Sequence, residues 1–210
     1  MKQKFDRREE ILQWLRPYME ERFRESCQKI QKKLEDMGNV MWGELRGRIQ
    51  EVLQRTADMQ RQGQKGKIAY VVCSFLQCSI DFNRLLLRIE TLEEELYLDN
   101  QEAAGYYCPQ LLQDHYQEDL EFLYQKAYGE FVRVQDYELE KISQAYAEYY
   151  NALIYNILQS VSRLIARTVS ESGICLSDDF QIVYGEYMGD ATVLWAKEKG
   201  EDEVLPDGNK

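Results

Sequence analysis

One histidine occurs in the chain, and it stands in an acidic run, Asp114-His115-Tyr116-Gln117-Glu118-Asp119. On a helix, His115 and Asp119 lie one turn apart, as do Asp114 and Glu118. An imidazole beside carboxylates is the raw material of acid–base catalysis or of a cation site. The metal reading is weak on residue type. A helical-bundle metal centre needs Glu-x-x-His pairs on facing helices, but position 112 is leucine and there is no second histidine. No Asp-x-Asp-x-Asp-Gly loop offers an all-oxygen site for Mg²⁺ or Ca²⁺. Acidic residues in a first helical turn also have a plain use, since they complement the helix dipole. The expectation is no metal and no cofactor.

Nucleophilic catalysis is equally constrained. A Ser-His-Asp or Cys-His arrangement would have to run through His115, and Gly-x-Ser-x-Gly is absent. Cys108 precedes Pro109 in a connection and reads as a loop or core thiol before a reactive one. Cys73 and Cys78, five apart, face opposite sides of a strand, or lie about 140° apart on a helix, so they make neither a metal pair nor a redox couple. Gly63-Gln-Lys-Gly-Lys67 resembles a phosphate loop only superficially. A Walker loop needs glycine at position 61 and serine or threonine at 68, where this chain has arginine and isoleucine.

Tyrosine is abundant, with 15 copies. Tyr146, Tyr149 and Tyr150 occupy neighbouring helical positions and suit a groove or an interface, with amphipathic core packing as the competing reading. Near the C-terminus, Glu186 and Asp190 flank a glycine-bearing turn. Together with His115, Glu118 and Asp119 they are the candidates for a pocket, should the fold gather them.

The elements that must position these residues read as α+β, dominated by helix. Met19, Phe23, Cys27, Ile30, Leu34 and Met37 form one stripe. Trp42, Leu45, Ile49, Val52, Thr56 and Met59 form a second. Gly38-Asn39 between them suggests a turn, and hence an N-terminal antiparallel helical hairpin with Pro17 near its start. A polar loop over 60–67 leads into a small antiparallel sheet. Its strands are expected at 68–80 and 84–90, with 95–98 as a possible third; a buried helix competes for 68–80. Residues 99–109 read as a connection. Two long helices follow, broken near Gln135-Asp136, because one helix over 111–170 would run about 90 Å. The chain closes with a β-hairpin over 180–196. The expected organisation is a helical segment over 1–62, an α+β body over 63–200 and a charged tail over 201–210.

Bulk properties narrow the function class. The chain has 210 residues, 44% hydrophobic and 30% charged, enough to bury a core. The longest apolar-leaning run, 68–82, is interrupted by Ser74, Gln77, Ser79 and Asp81, so no membrane span is expected. Five scattered cysteines suit reduced thiols in a cytosol, and the charged N-terminus lacks the apolar core of a secretory signal. Net charge is −11, unevenly spread: 16 basic residues face 11 acidic ones over 1–67, and 10 face 26 over 68–210. That balance opposes nucleic acid and favours docking between the halves or onto a partner of opposite charge. The expected function is that of a cytoplasmic, non-enzymatic interaction or regulatory protein acting through helical surfaces, with a protein partner or self-association as a homodimer. The alternative is a small enzyme or ligand-binding protein with a pocket between sheet and long helices.

Overall fold

The structure, a computed structural model, describes residues 6–98 and 101–197, with all their side chains except those of 36–39 and 97. Helix α1 spans Arg7–Arg61 without interruption. Asp6 caps it by accepting the Arg8 amide at 3.1 Å, and Glu9 and Glu10 occupy the first turn. Its 55 residues extend about 82 Å. The helical hairpin expected from Gly38-Asn39 is therefore corrected to a single helix. The physical reason is phase: Leu34, Met41, Leu45 and Ile49 follow at seven, four and four, so the seam crosses Gly38 without losing its face. A helical glycine costs about 1 kcal/mol, less than unsealing that seam. Pro17 likewise lies within α1, on its exposed side.

The two halves of α1 meet different partners. Towards the N-terminus it packs on α2 (Gln110–Glu130) and α3 (Asp136–Glu171), burying Ile11, Leu15, Met19 and Ile30. Towards the C-terminus Leu45, Ile49, Val52 and Leu53 are buried where the helix reaches the sheet. The expected break between the later helices is present. Gln135 caps α3 in a reciprocal box, its backbone amide donating to Glu138 at 2.8 Å. Arg7 then pairs with the buried Glu138 at 3.3 Å, tying the start of α1 to the start of α3.

The sheet has the order β3-β2-β1-β4-β5. Its strands are β1 (Ile68–Phe75), β2 (Leu87–Leu92), β3 (Ala104–Tyr107), β4 (Leu176–Glu186) and β5 (Ala191–Ala196). The sheet is mixed, a correction to the antiparallel one expected: the central pair β1–β4 is parallel, made possible by the long connection through β2, β3, α2 and α3, and the other pairs are antiparallel. The α+β class and the dominance of helix stand as expected, as do a strand from Ile68 and the C-terminal hairpin in the same sheet.

Several boundaries differ. Strand β1 stops at Phe75, and Gln77–Phe82 is a 3-10 segment ending on Asn83 at φ 52°. Strand β2 begins three residues later than expected, at Leu87. Leu96–Leu98 is a 3-10 turn, and the additional strand falls at Ala104–Tyr107, inside the stretch read as a connection. Its Ala-Gly start carries little strand propensity. Tertiary packing selects it: a Cβ on Gly105 would stand 2.9 Å from Val52 Cγ2 of α1, so only glycine permits this approach.

The residues paired in register define two faces. Val71, Cys73, Phe75, Leu87, Ile89, Ile182 and Tyr184 join the main core beneath the helices. Tyr70, Val72, Leu92 and Val183 form a separate cluster on the opposite face, which no helix covers among the described residues. No described helix is long and apolar enough to cross a membrane. Residues 201–210, expected to form a tail, lie outside the described residues.

Candidate functional site

The residues singled out on α2 and α3 meet at a junction of all three helices, around Asp119. This carboxylate is sealed from solvent. Its Oδ1 accepts from Arg22 Nε at 2.7 Å and from Ser26 Oγ at 2.9 Å, both on α1. Its Oδ2 accepts from the Tyr146 and Tyr150 hydroxyls of α3, each at 2.8 Å. Helix geometry explains the arrangement, since Arg22 and Ser26 are one turn apart, as are Tyr146 and Tyr150. Each helix presents two donors on one face, and α2 supplies the single acceptor.

Four donors on one buried carboxylate make a charge-assisted network. Burial, reinforced by the neighbouring Asp119 charge, pushes the Tyr146 and Tyr150 hydroxyls far above their ordinary range. Burial works against the Arg22 charge, but the hydrogen bond and charge of Asp119 outweigh it and raise that group. Around the polar centre the rings interlock: Tyr116 stacks on Tyr146 at 6.2 Å, meets Tyr150 edge-on at 5.3 Å, and donates its hydroxyl to Ser143 O at 3.1 Å. Tyr149 lies on the flank against Phe23 at 5.2 Å. Every polar atom at this centre is engaged within the chain, so the arrangement clamps three helices.

His115, one turn before Asp119, is also buried, and neither ring nitrogen has a hydrogen-bond partner among the described residues. Glu118, exposed, stands 4.0 Å from its Nδ1. Burial, then the charge of Lys33, holds the imidazole below its ordinary value. Among the described residues no three His, Cys, Asp or Glu side chains form a metal-ligand group.

Glu186 and Asp190 do not join this junction. Glu186 accepts from the Gln77 amide at 3.2 Å, and the same amide reaches Glu148 of α3 at 3.3 Å. Glu148 is two residues from both Tyr146 and Tyr150, which turns it about 200° away, onto the other side of α3. Asp190 is exposed in the β4–β5 turn. The candidates thus divide between the two sides of one helix.

Sequence reasoning missed Arg22, Ser26 and Tyr116. Arg22 stands beside Glu20, Glu21 and Glu25, the mixed charge of a solvated helix face, and its spacing to Ser26 was the available signal. It also missed Arg88 and Glu90 on the uncovered sheet face. Arg88 donates to Glu90 Oε2 at 2.8 and 3.1 Å, lies 3.1 Å from Glu102, and sits beneath the Tyr187 ring at 4.9 Å. No family model, curated protein or solved structure matches this chain.

Proposed function

We propose that this chain is a non-enzymatic interaction or regulatory protein of the cytosol, acting on a protein partner or a second copy through its helical surfaces. The observation that carries the reading is the corner between α2 and α3. Within ten residues there, Tyr128, Val132 and Tyr137 are 50%, 79% and 54% exposed. Clustered exposed apolar side chains of this size suit a docking surface. The Asp119 network supports the same reading, because the residues best suited to chemistry are spent in holding helices together.

The rival reading places a ligand between the sheet and the long helices. One cavity at that position, lined by Met41, Leu45, Tyr107, Leu112 and Ile157 among others, measures about 20 Å³, room for roughly one water, which favours packing there. A wider cleft of about 450 Å³ lies between Gln77, Cys78 and Asp81 and the α3 residues Lys141, Gln144 and Glu148, and it is where the rival reading would seat a ligand. A charge of −11 also disfavours nucleic acid as the partner. All five cysteines are unpaired thiols, in keeping with a reducing compartment.

The test is native mass spectrometry of protein purified gently from its own host, with and without Val132→Glu. A dimer or a complex with a second protein, lost in the variant, is the expected result. A retained small molecule in stoichiometric amount would sink the reading in favour of the ligand-binding alternative.

A further inference from the structure

The sheet face that no described helix covers carries a polar centre that the described residues do not complete. Register places Ser74 opposite Arg88, Arg88 opposite Tyr106, and Glu90 opposite Val72, all on the side away from the helices. No described helix packs on this face, yet Val72, Ser74 and Glu90 on it are buried. Strand β1 belongs to a parallel pair, and such strands are ordinarily covered on both sides. Its sequence, Ile-Ala-Tyr-Val-Val-Cys-Ser-Phe, is that of a strand buried on both sides.

Among the described residues at the centre, Arg88 is the one cation, and Glu90 and Glu102 both pair with it, so these three side chains keep one excess negative charge. That excess has a location. Glu90 is buried, and its Oε1 has no hydrogen-bond partner among the described residues. Ser74 Oγ, fully buried beside Arg88, has none either. Leaving such acceptors unsatisfied costs about 1–3 kcal/mol each, more for a charged group. Two aromatic side chains border the spot and touch the same guanidinium. Tyr106, 52% exposed, meets Arg88 Nη1 through its hydroxyl at 3.3 Å, and Tyr187 covers the guanidinium from the β4–β5 turn. An excess negative charge, two acceptors without donors and two flanking rings together describe a receptor for a cationic side chain.

We propose that this outer sheet face docks a basic protein segment, with an Arg or Lys side chain donating to Glu90 Oε1 and Ser74 Oγ between Tyr106 and Tyr187. The cation restores charge balance to the Arg88–Glu90–Glu102 cluster, gains charge-assisted hydrogen bonds from a desolvated carboxylate, and lies against tyrosine faces. Glu90 and Ser74 are buried, so docking requires the side chains over them, Tyr187 among them, to move aside. The acidic balance of residues 68–210, 10 basic against 26 acidic, steers the same class of partner towards this half of the molecule. The proposal rests on the interaction reading above and names a second surface and its partner class.

The test is an NMR titration of the full ¹⁵N-labelled chain with an acetylated hexapeptide of alternating glycine and arginine, near physiological salt. The expected shifts fall in Ser74, in 88–90, in 104–107 and in the turn at 186–191. Glu90→Gln should weaken the peptide about tenfold or more, the loss of one hydrogen bond to a charged acceptor. Tyr106→Ser, an exposed change that leaves the core intact, should weaken it several-fold and keeps the test decisive if Glu90→Gln does not fold. Shifts spread over the acidic helices, with affinity equal in both variants, would overturn the proposal in favour of unspecific attraction. Shifts at this face that track protein concentration without peptide would overturn it in favour of a second copy. If a partner from the host stays bound to both variants, the sheet-face site fails while the interaction reading stands. If the host yields no partner and the peptide does not bind, both fail.

Discussion

Asp119→Ala should be the most damaging single substitution at the helix junction, and by more than any one of its donors. The carboxylate accepts four hydrogen bonds from two helices while lying on a third, with no exposure. Truncation leaves the Tyr146 and Tyr150 hydroxyls buried without an acceptor, at about 1–3 kcal/mol each. Ser26 can turn its hydroxyl to the carbonyl one turn earlier, so it adds little. Arg22 keeps some solvent and Glu25 at 3.4 Å, which softens the loss of its buried partner. Breaking a buried pair from one side costs about 3–5 kcal/mol, and the sum over these groups falls in that range. For a chain of this length that is a fall in Tm of about 6–20 °C. Tyr146→Phe or Tyr150→Phe removes one donor and leaves the carboxylate three, which costs nearer 1.5 kcal/mol. Replacing the polar centre wholesale, by Asp119→Leu with both Tyr→Phe changes, should recover most of the loss. Urea unfolding followed by tryptophan fluorescence, with the slope checked for constancy, measures all four variants. If Asp119→Ala costs no more than a single Tyr→Phe, the carboxylate is not the keystone and this reasoning is wrong.

Three further outcomes are expected. The His115 imidazole is held below its ordinary value of 6.5, first by burial and then by Lys33, with Lys29 adding and Glu118 and Asp119 opposing. The unfolded chain therefore takes up a proton first, so stability is full above pH 6.5 and declines as pH falls towards the folded value, at no more than about 1.4 kcal/mol per pH unit. The single histidine makes the NMR titration unambiguous, and urea midpoints at pH 7.5 and 5.5 should converge in His115→Leu. Gly38→Ala should raise stability by up to about 1 kcal/mol, because position 38 is helical; a loss in thermal melts would mean a turn instead. Thr56→Val strands the Thr91 hydroxyl now 2.7 Å away, costing about 1–3 kcal/mol, whereas Thr56→Val with Thr91→Val should be near neutral by chemical denaturation.

The sequence determined those features that follow from periodicity and local chemistry. Met37 aside, whose side chain lies outside the described residues, both stripes of α1 lie on the faces it packs inward, the break at Gln135-Asp136 is real because Gln135 and Glu138 close a capping box, and the alternation over 180–196 is a hairpin. His115 and Asp119 were legible as one pair and Tyr146 and Tyr150 as another, because helical spacing puts the members of each pair one turn apart. What joined them was not legible. Arg22 lies 97 residues from Asp119, and only a serine one turn on sets its surroundings apart from those of the surface arginines around it. The turn read at Gly38-Asn39 failed because a local breaker signal was outweighed by a seam that stays in phase across it. Strand β3 was invisible because its Ala-Gly start has little strand propensity and is chosen only by the space beside Val52. The incomplete polar centre on the outer sheet face belongs to the same class. Ser74, Arg88 and Tyr106 come from three strands, and only register, a long-range property of the folded sheet, brings them side by side.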